Sequence, residues 1–169
     1  TRSTGFDHID MDECKKRNII VETVPVYGSR TVAEYTIGLM LAVAKNIVES
    51  DEALQDDEFS PEGLTGIDLY KKTLGIVGLG KIGSNVAKVA RAMGMKIVAM
   101  DKNPNLKIVK RYKIEMVGLK ELLQRSDVVS LHVPAIKETY HLINRDTVKL
   151  MKPGSILINT SRGAVVESA

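Results

Sequence analysis

The chain has 169 residues, of which 44% are hydrophobic and 27% are charged, a composition typical of a globular protein with one sizeable core. The formal net charge is only +3 and the lysines are spread along the chain, which argues against a nucleic-acid partner. The longest strongly apolar run, residues 37–44, is far shorter than the roughly 20 residues of a membrane span, which argues against a membrane partner.

The first third of the sequence predicts two helices and one strand. Residues 8–17 form a short polar helix in this interpretation, and the β-branched run 19–24 forms a buried strand that Pro25 ends. A long helix follows over residues 31–48, because Thr31 and Glu34 have the spacing of a capping box. Residues 56–66 read as a polar connector.

The remaining sequence alternates between short apolar runs and helical patterns. We expect strands at 74–77, 96–100, 112–117, 127–131 and 155–159, and helices at 81–93, 105–111, 118–125 and 144–150. Alternation of this kind with nearly continuous apolar strands predicts a parallel sheet covered by helices on both faces, an α/β fold.

The single cysteine, Cys14, cannot form an internal disulfide. A reducing compartment fits this usage, and no secretory signal is visible, so we expect a cytoplasmic protein. The chain opens with Thr1 rather than Met and stops at Ala169, and we expect both ends to be cuts rather than natural termini.

A glycine loop gives the first functional indication. Gly78, Gly80 and Gly83 follow a predicted strand and open a predicted helix, the context in which G-x-G-x-x-G binds a dinucleotide pyrophosphate. The first glycine permits a tight turn, the second lets the backbone approach the pyrophosphate, and the third lets the helix pack on the strand. The alternative is a turn that merely happens to be rich in glycine. The context favours the dinucleotide site.

Asp101 ends the second strand of this unit, 18 residues after Gly83. A carboxylate at this place accepts hydrogen bonds from the adenosine ribose and repels a 2′-phosphate, which favours NAD over NADP. The adjacent Lys102 weakens that preference. The alternative role for Asp101 is that of a helix cap or a solvated turn residue.

Arg162 follows the fifth predicted strand and is expected to face the same crevice as the glycine loop. A guanidinium can hold a carboxylate at two points and can stabilise charge that develops on a carbonyl oxygen during hydride transfer. A surface arginine beside a turn fits the spacing equally well.

The sequence resembles the D-isomer-specific 2-hydroxyacid dehydrogenases over nearly its whole length. The resemblance rests on five motifs in the family's order, at residues 2–10, 24–27 with 31–34, 78–83, 130–134 and 159–163. It implies a Rossmann-type doubly wound parallel sheet at residues 27–169, truncated before its last strands, and a remnant of a flavodoxin-like substrate domain at residues 1–26. The stretch 24–27 is most similar to the D-lactate dehydrogenase branch, although Thr23 stands where that branch usually has Asn.

The resemblance also implies roles for individual residues. It implies no metal ligand. Arg162 matches the catalytic arginine that binds the carboxylate and carbonyl of the substrate. The implied NAD contacts are Gly78, Gly80, Lys81, Ile82 and Gly83 at the pyrophosphate, Asp101 at the ribose, Val133 and Pro134 on the adenosine side, Thr160 and Ser161 at the nicotinamide ribose and ring, Thr139 at a position that also reaches the cofactor, and Thr4 at the domain junction.

The acid–base pair that this family uses, a His held by a Glu, has no match here. In the family both residues follow the fifth strand. The three histidines, His8, His132 and His141, are better explained as structural residues. A complete unit of this kind has six strands and five are visible. We therefore expect a fragment that binds NAD weakly and does not turn over pyruvate by itself.

The sequence is compatible with two functional hypotheses. The first is an NAD-dependent dehydrogenase that interconverts a small 2-keto acid and its D-2-hydroxy acid. The second is a non-catalytic NAD-sensing module, because the same family fold includes a transcriptional corepressor. The resemblance further implies a homodimer formed through the NAD-binding domain at the 31–48 helix, whose apolar residues could equally belong to an ordinary core.

Overall fold

The computed structural model describes residues 5–6, 8–24, 27–55 and 62–168. It contains a five-stranded sheet whose strands are all parallel. The strands, in chain order, are β1 (Thr73–Val77), β2 (Lys96–Met100), β3 (Glu115–Met116), β4 (Val128–Leu131) and β5 (Ile156–Asn159). Their spatial order, β3-β2-β1-β4-β5, runs outward from β1 on both sides, which is the doubly wound order of a Rossmann-type sheet. The predicted fold class is confirmed.

Helices cover both faces of this sheet. In chain order they are α1 (Met11–Lys16), α2 (Ser29–Ala44), α3 (Ile47–Gln55), α4 (Lys81–Ala92), α5 (Leu106–Arg111), α6 (Leu119–Arg125) and the single turn α7 (Arg145–Val148). A 3-10 turn at Gly163–Val165 follows β5.

The core is divided by the sheet, and alternate residues of each strand face opposite sides. On one side Leu74 and Ile76 of β1 pack with buried residues of α2 and α4. On the other side Val77 packs with Leu122 and Leu123 of α6. Burial on both faces explains why the central strands have nearly continuous apolar sequences.

The strand predicted at residues 19–24 is absent. Ile19 and Ile20 are 54% and 86% exposed, and this segment follows α1 without strand geometry. A β-branched run needs a neighbouring strand to satisfy its backbone, and no described strand pairs with this one. Pro25, predicted to end the strand, lies outside the described residues.

The predicted helix 31–48 is two helices. α2 begins at Ser29 with Gly28 as its N-cap, so the Thr31–Glu34 capping box is wrong. α2 ends at Ala44 because Asn46 adopts a left-handed conformation, with a φ of 48°, and its side-chain amide donates to the carbonyl of Thr65. None of the described helices is by itself long and apolar enough to span a membrane; α2 and α3 pass that test only when taken together, and they are bent by 59°.

The other elements differ from prediction mainly at their ends. α1 begins at Met11 rather than at residue 8 because the Asp10 side chain caps it. The strand predicted at 112–117 shortens to Glu115–Met116, since Lys113 turns the chain with a φ of 50°. The helix predicted at 144–150 is the single turn α7, capped reciprocally by Asn144 and Thr147. The connector 56–66 lies outside the described residues up to Pro61.

Candidate functional site

A cavity of about 850 Å³ lies at the carboxyl ends of β1, β4 and β5. In a doubly wound sheet this is the edge where ligands bind, next to the point at which the strand order reverses. Its described wall is formed by five segments of the chain: residues 5–6, 27–32, 80–82, 132–136 and 160–162. The volume is that of a cofactor or small-molecule site.

The three glycines of the loop between β1 and α4 have different surroundings. A Cβ at Gly78, whose φ is +94°, would lie 2.6 Å from the carbonyl oxygen of His132, and one at Gly83 would lie 2.1 Å from the carbonyl oxygen of Gly78. A Cβ at Gly80 would meet nothing within 4 Å. Gly78 and Gly83 therefore permit close packing behind the cavity, whereas Gly80 leaves the cavity open.

The same loop leads into α4, whose first two residues line the cavity. Gly80 is the N-cap of this helix and provides no side chain to satisfy the first backbone N–H groups. Lys81 and Ile82, the first two residues of the helix, also line the cavity. Free N–H groups at a helix N-terminus, a glycine without a Cβ and a nearby lysine form a cradle that fits a phosphate anion.

The charge of the wall has one sign. Lys81 and Arg162 are its cations, and the described lining residues include no Asp or Glu. Such a wall favours an anionic ligand. In the part of the chain that the structure describes, no three His, Cys, Asp or Glu side chains form a group that could hold a metal ion.

Arg162 is held at the cavity by Asn159, the last residue of β5. The Asn159 Oδ1 accepts from the N–H and the hydroxyl of Ser161, at 3.0 and 2.7 Å, and its Nδ2 donates to the carbonyl of Arg162 at 2.9 Å. The Arg162 guanidinium donates to the carbonyl of Ser161 at 3.1 Å. One amide side chain thus fixes the turn that carries Arg162.

Asp101 lies beside the glycine loop. Its carboxylate accepts from the N–H of Leu79 at 2.6 Å and from the N–H of Asn103 at 2.7 Å. The carboxylate is thus a brace for the loop as well as a candidate ribose ligand, because each oxygen retains a second lone pair.

The predicted site residues differ in where the structure places them. Those that line the cavity are Gly80, Lys81, Ile82, Val133, Pro134, Thr160, Ser161 and Arg162. Gly78 and Gly83 lie behind it, and Asp101 braces the loop. Thr139 is 8% exposed and does not line the cavity; its hydroxyl donates to the carbonyl of Pro134 and accepts from the N–H of Ile136. Thr4 lies outside the described residues.

Sequence reasoning missed the contribution of the start of α2. Tyr27, Gly28, Ser29 and Val32 all border the cavity. The prediction placed the helix start at Thr31, so its N-terminus was assigned to the wrong residue. Gly28 was the available signal, because glycine is an accepted N-cap residue.

His132 also lines the cavity, in a neutral state. Its Nε2 lies 2.8 Å from the Ser130 hydroxyl, and its buried Nδ1 has no hydrogen-bond partner among the described residues. Burial lowers the pKa of His132 to about 4. A general acid or base needs a pKa near the working pH, so His132 is unsuited to that role.

The burial of His132 should make the protein less stable in mild acid. The folded imidazole stays neutral down to a pKa of about 4, whereas in the unfolded chain it takes up a proton at about 6.5. This contribution to stability is present above the unfolded pKa and is lost as the pH falls toward 4, with a change of the order of 3 kcal/mol in the free energy of unfolding. Urea denaturation across this range measures it.

Two variants separate His132 from other titrating groups. His132→Gln removes the imidazole and should reduce the loss of unfolding free energy between pH 6.5 and pH 4. His8→Gln replaces an exposed histidine and serves as the control. An unchanged pH dependence in His132→Gln would contradict the assignment.

Comparisons with known proteins match this chain to a family. The family model described as "D-isomer specific 2-hydroxyacid dehydrogenase, NAD binding domain" matches residues 37–169. A glyoxylate reductase from Thermofilum pendens is 44% identical over 99% of this chain and 51% of its own length. A D-lactate dehydrogenase from Escherichia coli is 39% identical over 99% of this chain and 50% of its own.

Solved structures of D-lactate dehydrogenases are also similar to this chain. The structure of a D-lactate dehydrogenase from Aquifex aeolicus complexed with NAD and lactic acid is similar with a TM-score of 0.91 and 43% identity, over 99% of this chain and 50% of that one. The apo-structure of the Escherichia coli D-lactate dehydrogenase also gives a TM-score of 0.91, at 38% identity, over 98% of this chain and 52% of that one. The chain spans about half the length of the relatives that it matches.

Proposed function

Because the chain belongs to the D-isomer-specific 2-hydroxyacid dehydrogenase family, we propose that it forms the NAD-binding part of an oxidoreductase acting on a small 2-keto acid and its D-2-hydroxy acid. The observation that carries this proposal is one cavity that joins the glycine loop to Arg162. The loop suits a pyrophosphate and the arginine suits a carboxylate, so cofactor and substrate can meet there. We propose further that residues 27–169 make up the NAD-binding domain and that residues 1–26 belong to the substrate domain.

The pyrophosphate is assigned to the glycine loop, where the N–H groups at the start of α4 and the side chain of Lys81 face it. Asp101 is assigned to the adenosine ribose, and its negative charge disfavours a 2′-phosphate there. Val133 and Pro134 are assigned to the adenosine side, and Thr160 and Ser161 to the nicotinamide side. Roles for Thr139 and Thr4 at the cofactor are part of the same proposal.

Arg162 is assigned to the substrate. A guanidinium grips a carboxylate at two points and stabilises negative charge on the neighbouring carbonyl oxygen. When bound, the nicotinamide supplies the hydride. The accompanying proton needs a donor that titrates near neutral pH. His132 is neutral because partial burial lowers its pKa to about 4, and His8 and His141 do not line the described cavity, so we assign the proton to none of them.

An assay of the whole protein tests the proposal. We expect NADH oxidation with at least one of pyruvate, glyoxylate and hydroxypyruvate, and at least tenfold lower kcat/KM with NADPH, about 1.4 kcal/mol of discrimination. If pyruvate is the substrate, D-lactate should be oxidised in the reverse direction and L-lactate, the matched control, should not. NADH binding without turnover of any keto acid would favour the NAD-sensing module instead, and failure to bind NADH would contradict both.

We also propose a homodimer that pairs through α2 and α3, in the cytoplasm. Tyr35, Val43, Ile47, Val48 and Leu54 on these helices are each more than half exposed, an apolar surface that pairing would cover. The single Cys14 fits a reducing compartment. Light scattering that gives a monomer mass for the whole protein would contradict the dimer.

A further inference from the structure

A buried threonine connects α2 to the turn that carries Arg162. Thr36 is 1% exposed, and its Oγ1 lies 2.7 Å from the carbonyl oxygen of Val32 and 2.9 Å from the Oγ1 of Thr160. A carbonyl oxygen only accepts, so the single hydroxyl proton of Thr36 is donated to Val32. The bond between the two threonines must therefore use the proton of Thr160, with Thr36 as its acceptor.

The hydroxyl proton of Ser161 is also donated to another group of the protein. Its Oγ donates to the Oδ1 of Asn159 at 2.7 Å. The orientation of that amide is fixed, because a reversed amide would set its NH₂ group against the N–H of Ser161 and its oxygen against the carbonyl of Arg162. The proton of Ser161 is thus bound to the protein as well.

We propose that Thr36 is a positioning residue of the cofactor cavity, which acts by turning the hydroxyl of Thr160 away from the ligand. With their protons committed to Thr36 and Asn159, Thr160 and Ser161 offer only lone pairs to the cavity that they line. Lys81 and Arg162 offer only donors. The wall thereby offers donors at Lys81 and Arg162 for anionic groups and acceptors at Thr160 and Ser161 for hydroxyl or amide donors.

This inference rests on the proposed function and refines it. In NAD the donor groups outside the adenosine half are the hydroxyls of the second ribose and the NH₂ of the carboxamide. The acceptors Thr160 and Ser161 suit this half of the cofactor, while the adenosine and pyrophosphate half is assigned to other residues of the site. Disturbing Thr36 should therefore weaken the binding of whole NADH and leave the binding of ADP unchanged.

The test is calorimetric titration of the whole protein with NADH and, separately, with ADP. Thr36→Val keeps the volume but removes the acceptor, and it should weaken NADH binding by about three- to tenfold, the effect of one neutral hydrogen bond. Thr36→Ser retains the hydroxyl and should restore binding to within about twofold of the wild type. Ser126→Ala is the matched control, because it also removes a buried hydroxyl that donates to the carbonyl four residues earlier. Ser126 precedes β4 and so lies at the amino ends of the strands, away from the cavity.

The outcomes separate the inference from the proposed function. Weaker NADH binding with unchanged ADP binding in Thr36→Val, and rescue by Thr36→Ser, supports the positioning role. If Thr36→Val weakens the binding of NADH and ADP equally, or weakens neither, the positioning role is wrong. If Thr36→Val does not fold, Thr160→Val removes the hydroxyl oxygen that would accept from the ligand. This variant must then show weaker NADH binding with unchanged ADP binding. A wild-type protein that binds ADP but not NADH would overturn the proposed function itself.

Discussion

Replacing Arg162 with Leu is expected to lower kcat/KM for the keto acid by about 10³-fold in the whole protein while NADH affinity changes by less than about threefold. The guanidinium is the charged donor assigned to the substrate carboxylate and to the developing charge on the carbonyl oxygen. Its loss therefore affects binding of the substrate and stabilisation of the transition state together. Arg162→Lys keeps the charge but loses the planar fork, and a loss of about 10²-fold is expected.

Steady-state kinetics with NADH titrations measure both quantities. Arg111→Gln, which removes an exposed arginine beyond the described cavity wall, is the matched control. The brace from Asn159 holds the turn through the backbone of Ser161 and Arg162, so the turn should survive loss of the guanidinium. A kcat/KM within tenfold of the wild type, or a collapse of NADH affinity, would contradict a substrate role for Arg162.

The parts of the site that the sequence predicted depend on local chemistry. The glycine loop is recognisable because Gly78 and Gly83 are required by the close approach of His132 and of the loop itself, while Gly80 keeps the space beside the helix N-terminus open. The sheet is recognisable because its strands are buried on both faces and so are apolar without alternation. Asp101 follows β2 directly and Arg162 lies three residues after β5, so both are placed at the carboxyl ends of the strands.

The parts that the sequence did not predict depend on distant partners. Ile19 and Ile20 have the composition of a strand, yet no described strand lies beside them to pair with. Thr36 and Thr160 are 124 residues apart in sequence, and no spacing indicates their contact. The pKa of His132 is lowered by burial, which the residue type does not reveal.

Gly80 and Gly83 are expected to respond oppositely to substitution. Gly80 has a φ of −70° that any residue can adopt and a Cβ there meets nothing, so only the poorer N-cap preference of valine opposes Gly80→Val, and the free energy of unfolding should fall by no more than about 1 kcal/mol. The added methyl groups occupy the space through which the backbone approaches the pyrophosphate. NADH affinity should therefore fall by at least about tenfold, or 1.4 kcal/mol.

Gly83→Ala should instead destabilise the fold. In a solvent-exposed helix this change would raise the free energy of unfolding by about 0.5–1 kcal/mol, because alanine is the better helix former. Here the new Cβ would lie 2.1 Å from the carbonyl oxygen of Gly78 and 3.1 Å from Ile76, so α4 must move away from β1. Overpacking of this kind costs about 1–3 kcal/mol, which exceeds the gain in propensity, and NADH affinity falls with it because the loop moves.

Gly38→Ala in α2 isolates the propensity effect, because a Cβ at this exposed helical glycine meets nothing within 4 Å. Its free energy of unfolding should rise by about 0.5–1 kcal/mol in urea denaturation. If Gly83→Ala proved equally stabilising, the close approach of α4 to the loop would be wrong. If Gly80→Val bound NADH normally, the pyrophosphate would have to lie elsewhere in the cavity. The two glycines thus separate the packing of the loop from its use, since one keeps the helix close to the sheet and the other keeps the cavity open to a phosphate.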